Sequence, residues 1–380
     1  MTYDYIIAGA GLGGLSFVHH LLESEISFSS VLIIDQQVKN ENDRTWSFWS
    51  KDAPHYQCAG KQQWNKLGFA CDDFVRYEEI NPYTYYTIHS IDFYNEVFQK
   101  IRRDKRISFV NGAISEMVSE PDLTKIHVGD QQYQGRFIID SITRSNIAAD
   151  NCLLLWQNFT GWKIKTEQPS FDPEKPILMD FRVKQDDAAS FVYFLPYSET
   201  EALVEYTQFS KDLSFSATAY EREIEQYLKV QLKVDEYSIS ETEKGSIPMT
   251  NHCFEARPNH RVFRIGTMGG DTKPTTGYTF MNVQKHAQAI ILILQGLEPI
   301  EPNGDRFLFY DSLLLQIMHE QPRVVADIMK YLFKNQPMSR VLKFLDEETT
   351  VAEEMLIMGR LPWVPFLRTL AKKSRYAITA

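Results

Sequence analysis

Three glycines and one acid near the start of the chain are spaced for holding a dinucleotide. Gly9, Gly11 and Gly14 lie where the apolar run Tyr3-Asp4-Tyr5-Ile6-Ile7-Ala8 turns into a helix that is apolar through Leu22. Gly9 permits a tight turn, Gly11 lets backbone N–H groups approach a pyrophosphate, and Gly14 lets the helix pack closely on the strand. The helix N-terminus then faces the phosphates. A second strand, Ser30 to Ile34, ends at Asp35. That carboxylate stands where it can accept from a ribose hydroxyl, close to the usual ~20 residues beyond the last glycine.

The elements that must position these residues belong to a chain long enough for two or three interleaved domains: 380 residues. The formal net charge of -10 argues against a nucleic-acid partner held through phosphates. Cys58, Cys71, Cys152 and Cys253 are scattered and form no C-x-x-C, so neither a disulfide framework nor a zinc site is indicated, and a reducing cytoplasm fits. His19 and His20 show no partner at ligand spacing, and no metal is expected. The N-terminal apolar run has no basic leader and reads as a cofactor strand, not a signal peptide. The later run Ala289 to Leu294 is far short of the ~20 residues that span a bilayer, so any membrane contact is expected to be peripheral.

Helical spacing covers Ile91 to Arg102. Short strands are expected at Ile107 to Phe109 and Ile126 to Val128, and a buried strand Phe137 to Ile139 ends at Asp140. From Cys152 to Gln208 the pattern turns to aromatic-rich strands, including Ile177 to Val183, with Phe191–Leu195 and Ala202–Thr207 forming a hairpin. A helix, Ala217 to Lys229, follows. From Phe307 onward the spacing is helical, punctuated by Pro322, Pro337, Pro362 and Pro365.

Residues 261–280, RVFRIGTMGGDTKPTTGYTF, resemble the second flavin-contacting segment of hydroxylase-like FAD flavoproteins, although Thr267 stands where that pattern usually has Asp. With Pro274-Thr275-Thr276-Gly277-Tyr278, and with DRTWSFW at Asp43 to Trp49, Ile91 to Tyr94, Gln157 to Trp162, Leu178 to Phe181, Glu205 to Thr207 and Gly245 to Met249 in order, the chain resembles bacterial-type lycopene β-cyclases over nearly its whole length. The resemblance implies an α/β fold: a discontinuous Rossmann-like FAD-binding domain (1–52, 88–150 and 245–300), an inserted antiparallel β-sheet substrate domain (53–87 and 151–244), and a helical C-terminal region (301–380).

It also implies an isomerase that protonates the terminal double bond of lycopene or a related linear carotenoid, with FAD in its reduced form and NADPH as reductant. Gly266, Gly270, Thr276, Gly277, Tyr278 and Arg44 join Gly9, Gly11, Gly14 and Asp35 as expected cofactor contacts. Alkene protonation needs an acid still protonated near neutral pH, which burial can supply. Glu205 interrupts an apolar strand and matches the family's Glu-x-Thr signature; Asp180 is the second candidate. Trp46, Trp49, Tyr83, Tyr85, Tyr86, Phe191, Tyr193 and Tyr278 are candidates to line a polyene tunnel. Phe344 to Thr349 resembles an acidic signature of plant relatives, but reads as a helix terminus with a structural role. A carotene dissolves in lipid, so the protein is expected in the cytoplasm against the inner face of the membrane. The apolar and basic stretch Leu361 to Arg375 is one candidate contact and helices between Phe307 and Phe333 are another. Two alternatives share the features: an FAD monooxygenase or reductase of a hydrophobic isoprenoid, and a carotenoid-binding flavoprotein without catalysis.

Overall fold

The glycine turn sits at the carboxyl end of a central strand in a seven-stranded sheet. In the computed structural model, described here for residues 2–379 except 55, 57, 59, 73, 145, 146, 148–151 and 300–303, strands Ile107–Asn111, Val31–Asp35, Thr2–Ala8 and Gln131–Asp140 lie side by side and parallel. The last of these changes partner along its length. Its first half pairs antiparallel with Thr124–Val128, and Ile138 to Asp140 pair parallel with Val262–Arg264. The sheet therefore gathers segments that lie far apart along the chain. Strand Ile114–Ser119, which the sequence pattern does not announce, closes one edge.

The apolar runs of these strands are buried on both faces, the usual state of a parallel sheet. Ile7, Val31 and Ile33 pack under helices Leu12–Glu23 and Phe280–Leu294, whereas Ile6, Leu32, Ile34 and Ile138 fill the opposite side with Ile126 and Val128. Gly14 makes the first contact possible: a Cβ there would lie 2.0 Å from the Gly9 carbonyl oxygen.

A second seven-stranded sheet runs Ser238–Thr250, Leu154–Lys165, Glu201–Ser210, Ala189–Pro196, Ile177–Asp180, Lys66–Cys71, Phe74–Glu79. All neighbours are antiparallel except Ile177–Asp180 with Lys66–Cys71. The hairpin expected around residues 191–207 is present, but the strand beginning at Ile177 stops at Asp180 and does not reach Val183. Strand Ser238–Thr250 stays in this sheet past position 245. A small sheet of Thr45–Ser50, Thr84–His89 and Gln62–Trp64 straddles positions 52 and 88. Strand pairing thus crosses the segment boundaries drawn from the sequence.

Helices Gly304–Glu320, Val325–Asn335 and Met338–Leu345 cover the second sheet through Leu315, Met329, Phe333 and Val341 against Leu67 and Phe69. Arg76 Nη1 donates to the carbonyls of Phe333 (2.9 Å) and Gln336 (3.0 Å), satisfying acceptors that a helix C-terminus leaves open. Helices Val351–Met358 and Trp363–Thr379 complete the chain. Among the described residues no helix is long and apolar enough to cross a membrane.

Candidate active site

A cavity of about 670 Å³ runs from the glycine turn to the face of the second sheet. At one end it meets Gly9, Gly11 and Asp35, and at the other Glu205, Tyr193 and Glu243. Gly266, Thr276, Gly277 and Tyr278 form a wall between them. Most of the candidate residues are therefore brought into one continuous space.

The glycines are used in three different ways. Gly9 has φ +97° and lies under Ser141, so it supplies a turn that other residues adopt with strain. Gly11 faces open space, with no protein atom within 4 Å of where its Cβ would stand. Gly266 (φ +80°) is equally open, and its N–H donates to Asp271 Oδ2 at 2.6 Å. Gly270 (φ +86°) completes the turn behind it without lining the cavity. Asp35 accepts from Ala10 N at 2.6 Å and from Gln37 N at 2.7 Å. Its carboxylate fixes the glycine turn, and each oxygen keeps a lone pair for a further donor. Arg44 stands exposed at the rim, donating to the Asp43 carbonyl at 2.6 Å.

These features fit a bound dinucleotide. Two glycine positions leave room for close approach, and three buried side-chain oxygens beside the cavity, Gln157 Oε1, Thr276 Oγ1 and the Tyr278 hydroxyl, have no protein partner. A buried orphan acceptor is costly unless something donates to it. Gln157 also sits 2.6 Å from where a Cβ on Gly277 would be, and Gly277 has φ +71°. Gly277→Ala is accordingly expected to strain the turn, displace Gln157 and lower flavin retention severalfold, measured as the ratio of flavin to protein absorbance after purification.

The acid end is built by strand register. Gly161 pairs directly with Glu205 on one side and with Glu243 on the other, and Glu205 pairs with Tyr193. Directly paired residues project from the same face of a sheet. Alternation then brings Gln157, Phe159, Leu195, Leu203, Gly245 and Ile247 to that face as well, and all of them line the cavity. Glu205 is half-buried and opens onto the cavity. Burial pushes its carboxyl up to about 8, with the nearby Glu243 adding to the effect and the Thr207 hydroxyl, 3.2 Å away, opposing it. A carboxyl of that kind keeps its proton at neutral pH.

Tyr85, Tyr193 and Tyr278 stand around Glu205, and burial raises all three phenols well above their ordinary range. They remain neutral donors. Trp46 also lines the cavity, its ring tilted against that of Phe280 at 5.7 Å. Trp49 packs edge-on to Tyr278 at 4.6 Å, behind that wall. Tyr83, Tyr86 and Phe191 do not reach the cavity and belong to the packed cores. The aromatic surplus is mostly core.

Three expectations need correction. Asp180 is fully buried away from the cavity, bound by Arg182 at 2.6 and 2.9 Å and by the Tyr227 hydroxyl at 2.8 Å; it is a structural ion pair, not a second acid of the site. Phe344 to Thr349 spans a helix terminus, but it is the C-terminal end of helix Met338–Leu345 and the turn after it, where the helix dipole disfavours anions and cannot account for the acids. Lysines hold these acids instead: Lys273 reaches Glu347 at 2.8 Å and Asp311 at 2.8 Å, and Lys51 reaches Glu348 at 2.5 Å. His19 does have a partner at helical spacing, Glu23 at 3.2 Å, but Lys100 Nζ contacts both His19 (3.1 Å) and Glu23 (2.7 Å) and supplies the positive charge there. Glu243 is the functional candidate that the sequence reading missed. Its strand, SISETEKGSIPMT, is polar and exposed over most of its first half, and only the long-range register reveals which of its acids faces inward.

A family model described as "Lycopene cyclase protein" matches residues 4–371. The chain belongs to the lycopene cyclase family. It is 26% identical to the lycopene beta-cyclase of Pantoea ananas over 286 residues, 73% of this chain and 71% of that protein. It is 25% identical to the lycopene beta-cyclase of Pseudescherichia vulneris over 301 residues, 76% and 73% of the two chains. Among solved structures, a flavoprotein/dehydrogenase from Cytophaga hutchinsonii superposes with a TM-score of 0.64 at 12% identity, covering 99% of this chain and 100% of that one. A geranylgeranyl bacteriochlorophyll reductase-like protein from Thermoplasma acidophilum gives 0.55 at 12% identity, covering 98% and 96%. At such identities these two likenesses establish the α/β flavoprotein fold of this cyclase-family chain.

Proposed function

We propose that this lycopene cyclase family member is a β-cyclase, an isomerase that closes β-ionone rings on the ends of linear lycopene by acid catalysis without net redox change. The observation that carries the reading is a carboxyl group raised to about 8, Glu205, on the floor of a cavity continuous with a dinucleotide cradle. Glu205 donates its proton to the terminal double bond and leaves a tertiary cation. The neighbouring double bond attacks that cation, and loss of a ring proton completes the product. Phe159, Leu195 and Leu203 keep the surroundings apolar, so water is excluded from a cation it would otherwise capture. The faces of the lining aromatics stabilise positive charge.

FAD is the nucleotide proposed for the cradle, with Gly9, Gly11 and Gly14 shaping the phosphate turn, Asp35 and Arg44 at its rim, and Gly266, Thr276, Gly277 and Tyr278 along the wall. When bound in its reduced form it supplies fixed negative charge beside a developing cation, where a dry site makes such charge effective. NADPH or an equivalent reductant would maintain that form.

The substrate's solubility calls for peripheral contact with lipid. Trp363, Val364, Leu367 and Leu370 on the last helix are exposed, and Arg360 and Arg368 flank them. Apolar side chains beside cations suit the surface of an anionic bilayer. The side chains of Lys373 and Arg375 lie outside the described residues. The double variant Trp363→Ser/Leu367→Ser is expected to reduce flotation with anionic liposomes several-fold while leaving flavin content unchanged. Equal flotation would move the contact to another helix.

Expression in cells that accumulate lycopene tests the function itself. A pigment shift from red to orange-yellow, with products of unchanged elemental composition, is expected. Products carrying added oxygen or hydrogen would identify a monooxygenase or a reductase, and unchanged lycopene a binding protein.

A further inference from the structure

The row Glu243, Gly161, Glu205, Tyr193 spans four adjacent strands at a single level. Successive strands are ~4.8 Å apart, so the two acids are anchored about 10 Å from each other with one residue between them. That residue has no side chain. Glu205 uses the gap: its Oε2 lies 3.3 Å, and its Cβ and Cγ 3.4 Å, from where a Cβ on Gly161 would stand. The carboxyl therefore lies over the glycine, in the gap between the two acids.

The two acids are served unequally. Burial raises the Glu243 carboxyl too, but its Oε1 accepts from the Thr45 N–H at 2.9 Å, and that bond and the positive charge of Arg44 oppose the rise. Glu205 has the Thr207 hydroxyl. The phenols of Tyr85, Tyr193 and Tyr278 stand near Glu205, that of Tyr197 feels Glu243 more strongly than Glu205, and Asp43 acts on Glu243. Lys163 and Glu241, further along the strands near His89, neutralise one another at 3.1 Å. Of the two carboxyl groups, Glu243 is better equipped to carry a negative charge.

We infer that Glu243 is a positioning residue for the proton: its charge, acting across the side-chain-free gap at Gly161, keeps the proton on Glu205. Two carboxyl groups in one desolvated space cannot both ionise cheaply, so the better-solvated one ionises and the other stays neutral. Burial accounts for part of the shift in Glu205, and Glu243 contributes the next largest share. The inference rests on the acid role proposed for Glu205.

Glu243→Gln removes the charge and keeps an acceptor for Thr45. The protonated carboxyl band of Glu205 is followed by infrared difference titration of the flavin-loaded protein, with Glu205→Gln identifying the band. In Glu243→Gln that titration is expected to move to lower pH by about one unit. The alkaline limb of lycopene cyclisation should move with it. A band and limb that stay in place would overturn the inference. Loss of activity at every pH would also overturn it, because Glu243 would then be handling the reacting proton itself. Failure of the underlying reading looks different: Glu205→Gln would remain active.

Discussion

Replacing Glu205 with Gln is expected to lower ring formation by ~10³-fold, within the range that positioned acids contribute. Glutamine keeps the shape and the hydrogen bond from Thr207 but has no proton acidic enough for an alkene. Flavin content should be unchanged, because the row that holds Glu205 meets the cavity at the end opposite the glycine turn. In the parent protein the rate should fall as pH rises through about 8.

The same shift acts on stability. Between the ordinary glutamate value and about 8, the folded protein holds a proton that the unfolded chain has released, so stability declines as pH rises through that window. Glu205→Gln removes this contribution. Its melting temperature should be flatter with pH over that interval and should exceed that of the parent above pH 8. A parallel pair of curves would mean that the carboxyl is not shifted by folding.

The second large effect separates two glycines of one turn. Gly14→Ala puts a methyl group 2.0 Å from the Gly9 carbonyl oxygen and 2.8 Å from Ile7 Cγ2. Backbone on one side leaves no flexible atom to yield, so helix Leu12–Glu23 must move off its strand. A loss of about 3 kcal/mol of stability is expected, the upper part of the usual range for overpacking, together with loss of flavin. Gly11→Ala meets no protein atom within 4 Å. It should leave the flavin-free protein as stable as the parent and yet abolish flavin retention, because the methyl group occupies the space left for the phosphates. Urea titrations of the two flavin-free variants, set beside their absorbance spectra, distinguish folding damage from cofactor exclusion. Equal stability of both variants would contradict the packing role of Gly14.

The difference between these glycines shows what the sequence made legible. A local motif carries its own geometry: turn, helix start and acid lie within one βαβ unit, and the sheet places Gly9, Gly11 and Asp35 at one end of the cavity as the motif implies. Glu205 was also visible, as a charge interrupting an apolar strand. Glu243 was not, because its face is fixed by pairing with a strand some eighty positions away, and that strand's register shifts between Lys163 and Ile164. Asp180 misled for a related reason. All four residues of its strand are buried, so alternation assigns no face, and Tyr227 from a later helix decides its role. The acids at 346–348 look similar in any one-dimensional reading, whereas their surroundings differ. Asp346 is half-buried beside Trp49 and desolvation raises it to about 6, while Lys51 and Lys285 hold Glu348 below its ordinary value against its own desolvation.

Isotope incorporation by the flavin-reduced protein tests proton transfer to carbon most directly. Lycopene is converted without dioxygen in D2O by the parent protein and by Glu205→Gln. Acid catalysis through Glu205 predicts one deuteron retained for each ring closed by the parent, no added oxygen or hydrogen pair, and no ring or deuterium from the variant. Rings formed without deuterium, or deuterated rings formed at the parent rate by Glu205→Gln, would contradict it.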